Sequence, residues 1–203
     1  MSTYISQMSE RINESFIGKA FVVSDFTDIM NYETAKKTIA RLEKQGEIRR
    51  VIRGVYDKPK YSKLLNEEIL PNPGEIANAI ARNYNWTIAP SGNTALNLLG
   101  LSTQVPAKWE YISTGPYREY EIGNNTITFS HRANKTIEGM SLKTAMVIEA
   151  LRAIGKAEID EKTLNKIRNN LSSEEKENLI SEGRQTTSWI YDLIKEICRD
   201  REA

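Results

Sequence analysis

Between Lys36 and Lys63 ten basic residues stand against three acidic ones, Glu43, Glu47 and Asp57, so this segment carries a net +7 in a chain whose total is +1. The rest of the chain is therefore −6. Clustered Lys and Arg side chains neutralise phosphates, and that attraction acts within about one Debye length, roughly 8 to 10 Å, so local charge matters more than the total. Thr34, Lys37, Thr38 and Arg41 recur at offsets of 3, 4 and 7, which puts small polar and cationic side chains on one helical face. Such a face, with Lys36 beside it, suits a helix that reads a DNA groove. Arg49, Arg50, Arg53 and Lys58 follow in a segment suited to phosphate contacts, and Lys60 extends the strip. The same cations could simply solvate a helix and a hairpin.

Residues for catalysis are sparse. His131 is the sole histidine and falls in a predicted strand next to Arg132, which excludes a two-histidine metal site and leaves any triad dependent on one residue. A structural or surface histidine is the simpler reading. Cys198 is the sole cysteine, so an intramolecular disulfide and the spaced cysteine sets of zinc sites are excluded, and a reducing cytoplasm fits. Neither a P-loop nor a GxGxxG run occurs. Pro90-Ser91-Gly92-Asn93-Thr94 could hold an anion at a helix N-terminus or merely cap the helix, and Glu174, Glu175 and Glu177 read as a solvated face opening a helix. The expectation is a protein that is not an enzyme and uses no cofactor or metal.

The elements that must position the cations are legible from spacing. Ile5, Met8 and Ile12 predict a first helix from Tyr4 to about Ser15, and Ser24 is the expected cap of a short helix from Asp25 to Met30. A second helix follows from about Glu33 to Gln45, with Ala35, Ile39 and Leu42 facing inward and Gly46 as its terminal glycine. Ile48 to Val51 and Val55-Tyr56, joined near Ile52-Arg53-Gly54, read as a basic hairpin. Leu64 to Pro73, with Asn72-Pro73, is the expected boundary between domains. Beyond it, a helix carries Ile76, Ala79, Ile80 and Tyr84, a brief strand covers Trp86 to Ala89, and a helix capped by Ser91 stops at Gly100. Strands are expected near 110–113, 118–121 and 126–131, then four helices from Ser141 onward, the third opened by a Ser172/Glu175 capping box.

The order helix, short helix, basic helix and hairpin is that of a winged helix-turn-helix. The run RLEKQGEIRRVIRGVY (Arg41–Tyr56) resembles the N-terminal winged-helix domain of bacterial AbiEi-type antitoxins, and PSGNTALNLLGLSTQVP (Pro90–Pro106) followed by YISTG (Tyr111–Gly115) resembles the core of the domain that follows it in that family. The resemblance implies an α+β protein with a winged helix-turn-helix over residues 1–70 and, over 71–203, a mixed α/β antitoxin domain ending in a helical bundle. It further implies a repressor that binds double-stranded operator DNA, autoregulates its operon in a phage-defence (abortive-infection) system, and pairs functionally with a nucleotidyltransferase-like toxin. Inverted-repeat operators would require a homodimer. The alternative is a protein-interaction module whose winged helix binds a protein partner, without a toxin. No 18-residue apolar run and no basic-plus-apolar leader occur, so a cytoplasmic protein with no membrane partner is expected.

Overall fold

In the computed structural model, which describes residues 3–64, 66–133 and 137–199, Thr3 starts the first helix by accepting the N–H of Ser6 on its side chain (3.3 Å). That helix, α1 (Tyr4–Glu14), buries Met8 and Ile12. The chain is mixed α/β and divides into two compact units, Met1–Trp86 and Thr87–Ala203.

In the first unit α1 is followed by β1 (Ala20–Phe21), a single 3-10 turn (Val23–Phe26), α2 (Tyr32–Lys44), β2 (Arg49–Ile52) and β3 (Val55–Asp57). The expected short α-helix at 25–30 is replaced by that 3-10 turn, and Ser24 lies inside it rather than capping it. The Asp25 carboxylate accepts the Val22 N–H (3.0 Å), a local capping bond, and the Arg82 guanidinium (2.9 Å), a long-range one, so both hold the turn in place. β1, which the residue pattern did not reveal, pairs with β3, and the sheet order is β1-β3-β2, all antiparallel. Met8, Ile12, Phe21, Val23, Phe26, Met30, Ala35, Ile39, Leu42, Ile48 and Tyr56 form the core beneath it.

The expected boundary at Leu64–Pro73 is corrected. Its described residues belong to a small hairpin, β4 (Lys60–Ser62) paired with β5 (Glu67–Ile69), and to the start of α3 (Pro73–Tyr84). Asn72 accepts the Gly74 N–H (2.7 Å) and Pro73 stands in the first turn, where its fixed φ and missing N–H favour starting a helix. Asn-Pro is thus a helix start and not a linker. α3 packs on β1 and β3, and Arg82 donates to the Ala20 carbonyl (2.9 Å) as well as to Asp25, so the first unit runs on to Trp86.

The second unit sets a four-stranded sheet against helices. β6 (Ile88–Pro90), β7 (Lys108–Ser113), β8 (Arg118–Ile122) and β9 (Asn125–His131) take the order β6-β7-β9-β8, with β7 and β9 parallel. Around it lie α4 (Gly92–Leu98), α5 (Leu142–Ile154), α6 (Glu161–Asn169), α7 (Ser173–Glu182) and α8 (Ser188–Cys198). α5 is buried without interruption from Thr144 to Leu151, as a helix enclosed on every side requires. The Ser172/Glu175 capping box forms as expected. Among the described residues no helix is long and apolar enough to cross a membrane.

The last residue of α7 clamps the first turn of α5: Glu182 Oε2 accepts the Ser141 N–H and hydroxyl, each at 2.9 Å. Partial burial alone would raise the Glu182 carboxyl, but the hydrogen bonds from Thr144 and Ser141 outweigh it and hold it below the ordinary glutamate value. A carboxyl depressed in the folded state contributes stability above its unfolded value, about 4.3, and loses that contribution as pH falls through the folded one. Glu182→Gln should therefore lower Tm at pH 7, by the equivalent of about 1 kcal/mol, and the gap to the native chain should close as pH falls below about 4. Thermal unfolding across pH 3 to 8 checks this; a gap that does not change with pH defeats it.

Candidate nucleic-acid interface

α2 begins where the Asn31 side chain accepts the Thr34 N–H (2.9 Å) and ends in a left-handed Gly46 (φ +77°), whose following Glu47 N–H returns to the Leu42 carbonyl (3.0 Å). This closure satisfies the last carbonyls and turns the chain straight into β2. Ala35, Thr38, Ile39 and Leu42 point into the core, leaving Lys36, Lys37, Arg41 and Lys44 exposed on the helix. No described carboxylate pairs with any of these four, nor with the exposed Arg53 in the turn between β2 and β3.

Two expected contacts are turned inward. Thr38 is buried and its hydroxyl donates to the Thr34 carbonyl (2.8 Å), so it faces the core and not a groove, while Thr34 stays half-buried at the edge of the exposed face. At about 100° per residue Thr38 stands three positions after Ala35 and four before Leu42, which places it in their stripe. That spacing was the signal that could have excluded it.

Arg49 lies directly opposite Asp57 across β2 and β3. Its Nε and Nη2 grip the two carboxylate oxygens at 3.0 and 2.5 Å, its Nη1 reaches Glu68 at 2.8 Å, and its Nη2 also donates to the Ile69 carbonyl (3.0 Å). The hydrogen bond to Asp57 raises the guanidinium above its ordinary value. Every edge of Arg49 is engaged in holding β2, β3 and β5 together, and Asp57 is only 1% exposed.

Lys58 is exposed and donates to the neutral Asn13 side chain of α1 (2.6 Å), so it keeps its charge toward solvent. Arg50 occupies an intermediate position: it lies 5.7 Å from the Tyr56 ring centroid and 3.2 Å from the Glu43 carboxylate, and its ionised form is favoured first by Tyr56 and then by Glu43. Half of its side chain stays open, and the contact with Glu43 ties β2 alongside the C-terminal half of α2. The hairpin's turn rests on α3, since a Cβ on Gly54 (φ +84°) would come within 3.1 Å of the Asn83 side chain. Lys44, seven residues after Lys37 and absent from the expected set, joins the exposed face.

The N-terminus of α4 is already occupied by the chain's own anion: Glu110 Oε2 accepts the Asn93 N–H (3.1 Å), and a Cβ on Gly92 would lie 2.3 Å from that same oxygen. Ser91 makes no side-chain capping bond. His131 is exposed at the end of β9, with Nδ1 3.0 Å from the Gly115 carbonyl oxygen. Among the described residues no group of three or more His, Cys, Asp or Glu side chains is placed to hold a metal.

These observations define a two-unit mixed α/β protein whose first unit carries a basic helix face that pairs with no described carboxylate. A family model described as a family of unknown function (DUF6088) matches residues 7–179, and the chain belongs to that family. No curated protein matches it.

Proposed function

We propose that the first unit binds double-stranded DNA as a winged helix-turn-helix, with α2 in the major groove and the β2–β3 hairpin as the wing. The observation that carries the reading is the exposed row Lys36, Lys37, Arg41 and Lys44, without a partner carboxylate among the described residues, on a helix whose opposite face is core. Four cations within three turns have no internal use beyond a modest favourable interaction of the last two with the helix C-terminus, and a phosphate backbone supplies what they lack. The element order supports it too: helix, strand, short turn, helix and hairpin, with the hairpin's second strand paired to the first strand. In this reading Thr34 and Lys37 lie nearest the base edges, Lys36, Arg41 and Lys44 flank them, and Arg53 with the open side of Arg50 meets phosphates. Arg49 and Thr38 are released from the interface by their internal partners.

The resemblance of the second unit to the AbiEi-type core extends the proposal to a cytoplasmic antitoxin that represses its own operon and is not itself an enzyme. The test is gel-shift binding to the DNA upstream of the chain's own gene against a scrambled duplex, at two salt concentrations. Retention of the upstream duplex at the higher salt is the expected result and leads to a toxicity test of the neighbouring gene. Equal, salt-insensitive binding to both duplexes would refute the reading and favour a winged helix used on a protein partner.

A further inference from the structure

A second feature of the first unit is left without a use by the DNA reading. Between the end of α1 and the segment joining β3 to β4 lies a cleft of about 240 Å³, and no side chain of α2 lines it. Its floor includes Ile12 and Phe21, both 4% exposed, while Phe16 and Ile17 stand at its rim 58% and 72% exposed. These two belong to the five-residue link between α1 and β1, and adjacent large apolar side chains left open in a short link mark a surface that something covers.

The described charges that line the cleft have one sign. Lys19, Lys58 and Lys60 line it, and no carboxylate among the described residues does. Two of the three are held at the rim: Lys19 Nζ sits 5.2 Å from the Phe16 ring centroid, and Lys58 donates to Asn13. An apolar floor ringed by lysines fits a partner that brings one large apolar side chain flanked by carboxylates, the arrangement of a buried anchor within a charged rim. The volume lies below the roughly 300 Å³ at which small-molecule pockets begin and suits a single side chain. A duplex offers the lysines phosphates but has nothing to fill the floor or cover Phe16 and Ile17.

We infer that this cleft is a docking site for an acidic peptide segment of a protein partner, with one aromatic or large aliphatic side chain seated on Ile12 and Phe21 and its flanking carboxylates paired with Lys19, Lys58 and Lys60. The inference is independent of DNA binding, because α2 and the cleft share no side chain.

The experiment is an amide NMR titration of the full chain with the capped peptide Asp-Glu-Trp-Glu-Asp, its Trp-to-Ala analogue, its Lys-for-acid analogue and a nonspecific DNA duplex. The acidic Trp peptide should shift amides near 13–21 and 57–60 with a sub-millimolar Kd. The Ala analogue, and the exposed-site variants Ile17→Ser and Lys60→Glu, should each bind about tenfold more weakly. The proposal is overturned if no peptide shifts these amides at millimolar concentration or if the Lys analogue binds as well. It is also overturned if the duplex shifts them and the acidic peptide does not, which would hand the three lysines to nucleic acid.

Discussion

Arg49→Ala is expected to destabilise the first unit by about 3 to 5 kcal/mol, the range for removing one partner of a buried ion pair. The loss follows from what remains behind: an Asp57 carboxylate 1% exposed, stripped of the two guanidinium hydrogen bonds that compensate its burial in the centre strand of the sheet. Since whole domains are stable by only about 5 to 15 kcal/mol, much of the unit would be unfolded at 37 °C. Urea denaturation followed by circular dichroism measures the drop. Arg49→Met combined with Asp57→Leu should recover most of it, because replacing both charges removes the uncompensated one. Wild-type stability in Arg49→Ala together with lost DNA binding would return Arg49 to the interface and sink this assignment.

The second large effect falls on binding and spares the fold. Replacing Lys36, Lys37, Arg41 and Lys44 together by alanine removes four exposed cations from a helix whose core face is untouched. Each phosphate contact contributes about 0.9 to the slope of log K against log salt on duplex DNA, so the slope should flatten by about 3 to 4. The unfolding midpoint should hold or rise slightly, since alanine favours the helix. Thr38→Val is the matched control, expected to leave binding unchanged because Thr38 faces inward. Filter binding from 50 to 300 mM salt gives the slopes; a quadruple variant with the native slope would place the DNA contacts, if any, outside α2.

The two substitutions separate what a list of basic residues cannot. In sequence Arg49 and Arg53 are alike: cations in one hairpin, four residues apart. Cross-strand register puts Asp57 directly opposite Arg49, whereas Arg53 falls in the exposed turn. Register is a long-range property, and no spacing rule within the segment reports it. Thr38 departs from the expected face for a different reason. Its spacing places it in the stripe of Ala35 and Leu42, while its hydroxyl suggests an exposed side chain. A threonine can follow that stripe because its hydroxyl is satisfied by the carbonyl four residues back.

The helices with strong apolar periodicity and defined caps were legible: α1 from Ile5, Met8 and Ile12, α2 between Asn31 and Gly46, and α7 from its capping box. So were the short strands around Gly54 and around Gly123-Asn124, where a turn residue fixes the chain reversal. β1 was not, because two residues have no period and become a strand only when β3 presents a partner. The division of the chain moved to Trp86 for a related reason: Arg82 and the packing of α3 on β1 and β3 assign that helix to the first unit, and such contacts leave no local mark.

By itself the sequence determined the local conformations, the sign and place of the basic segment, and the absence of the residue sets on which common metal and nucleotide sites depend. Those are properties of neighbours in the chain, set by propensity, capping and composition. Tertiary structure alone decided which cations are free. Arg49 is neutralised by Asp57 and Glu68, while Lys36, Lys37, Arg41 and Lys44 are left to solvent. A charge becomes available to a partner only when folding brings no opposite charge to it, and that depends on distances between residues far apart in the chain.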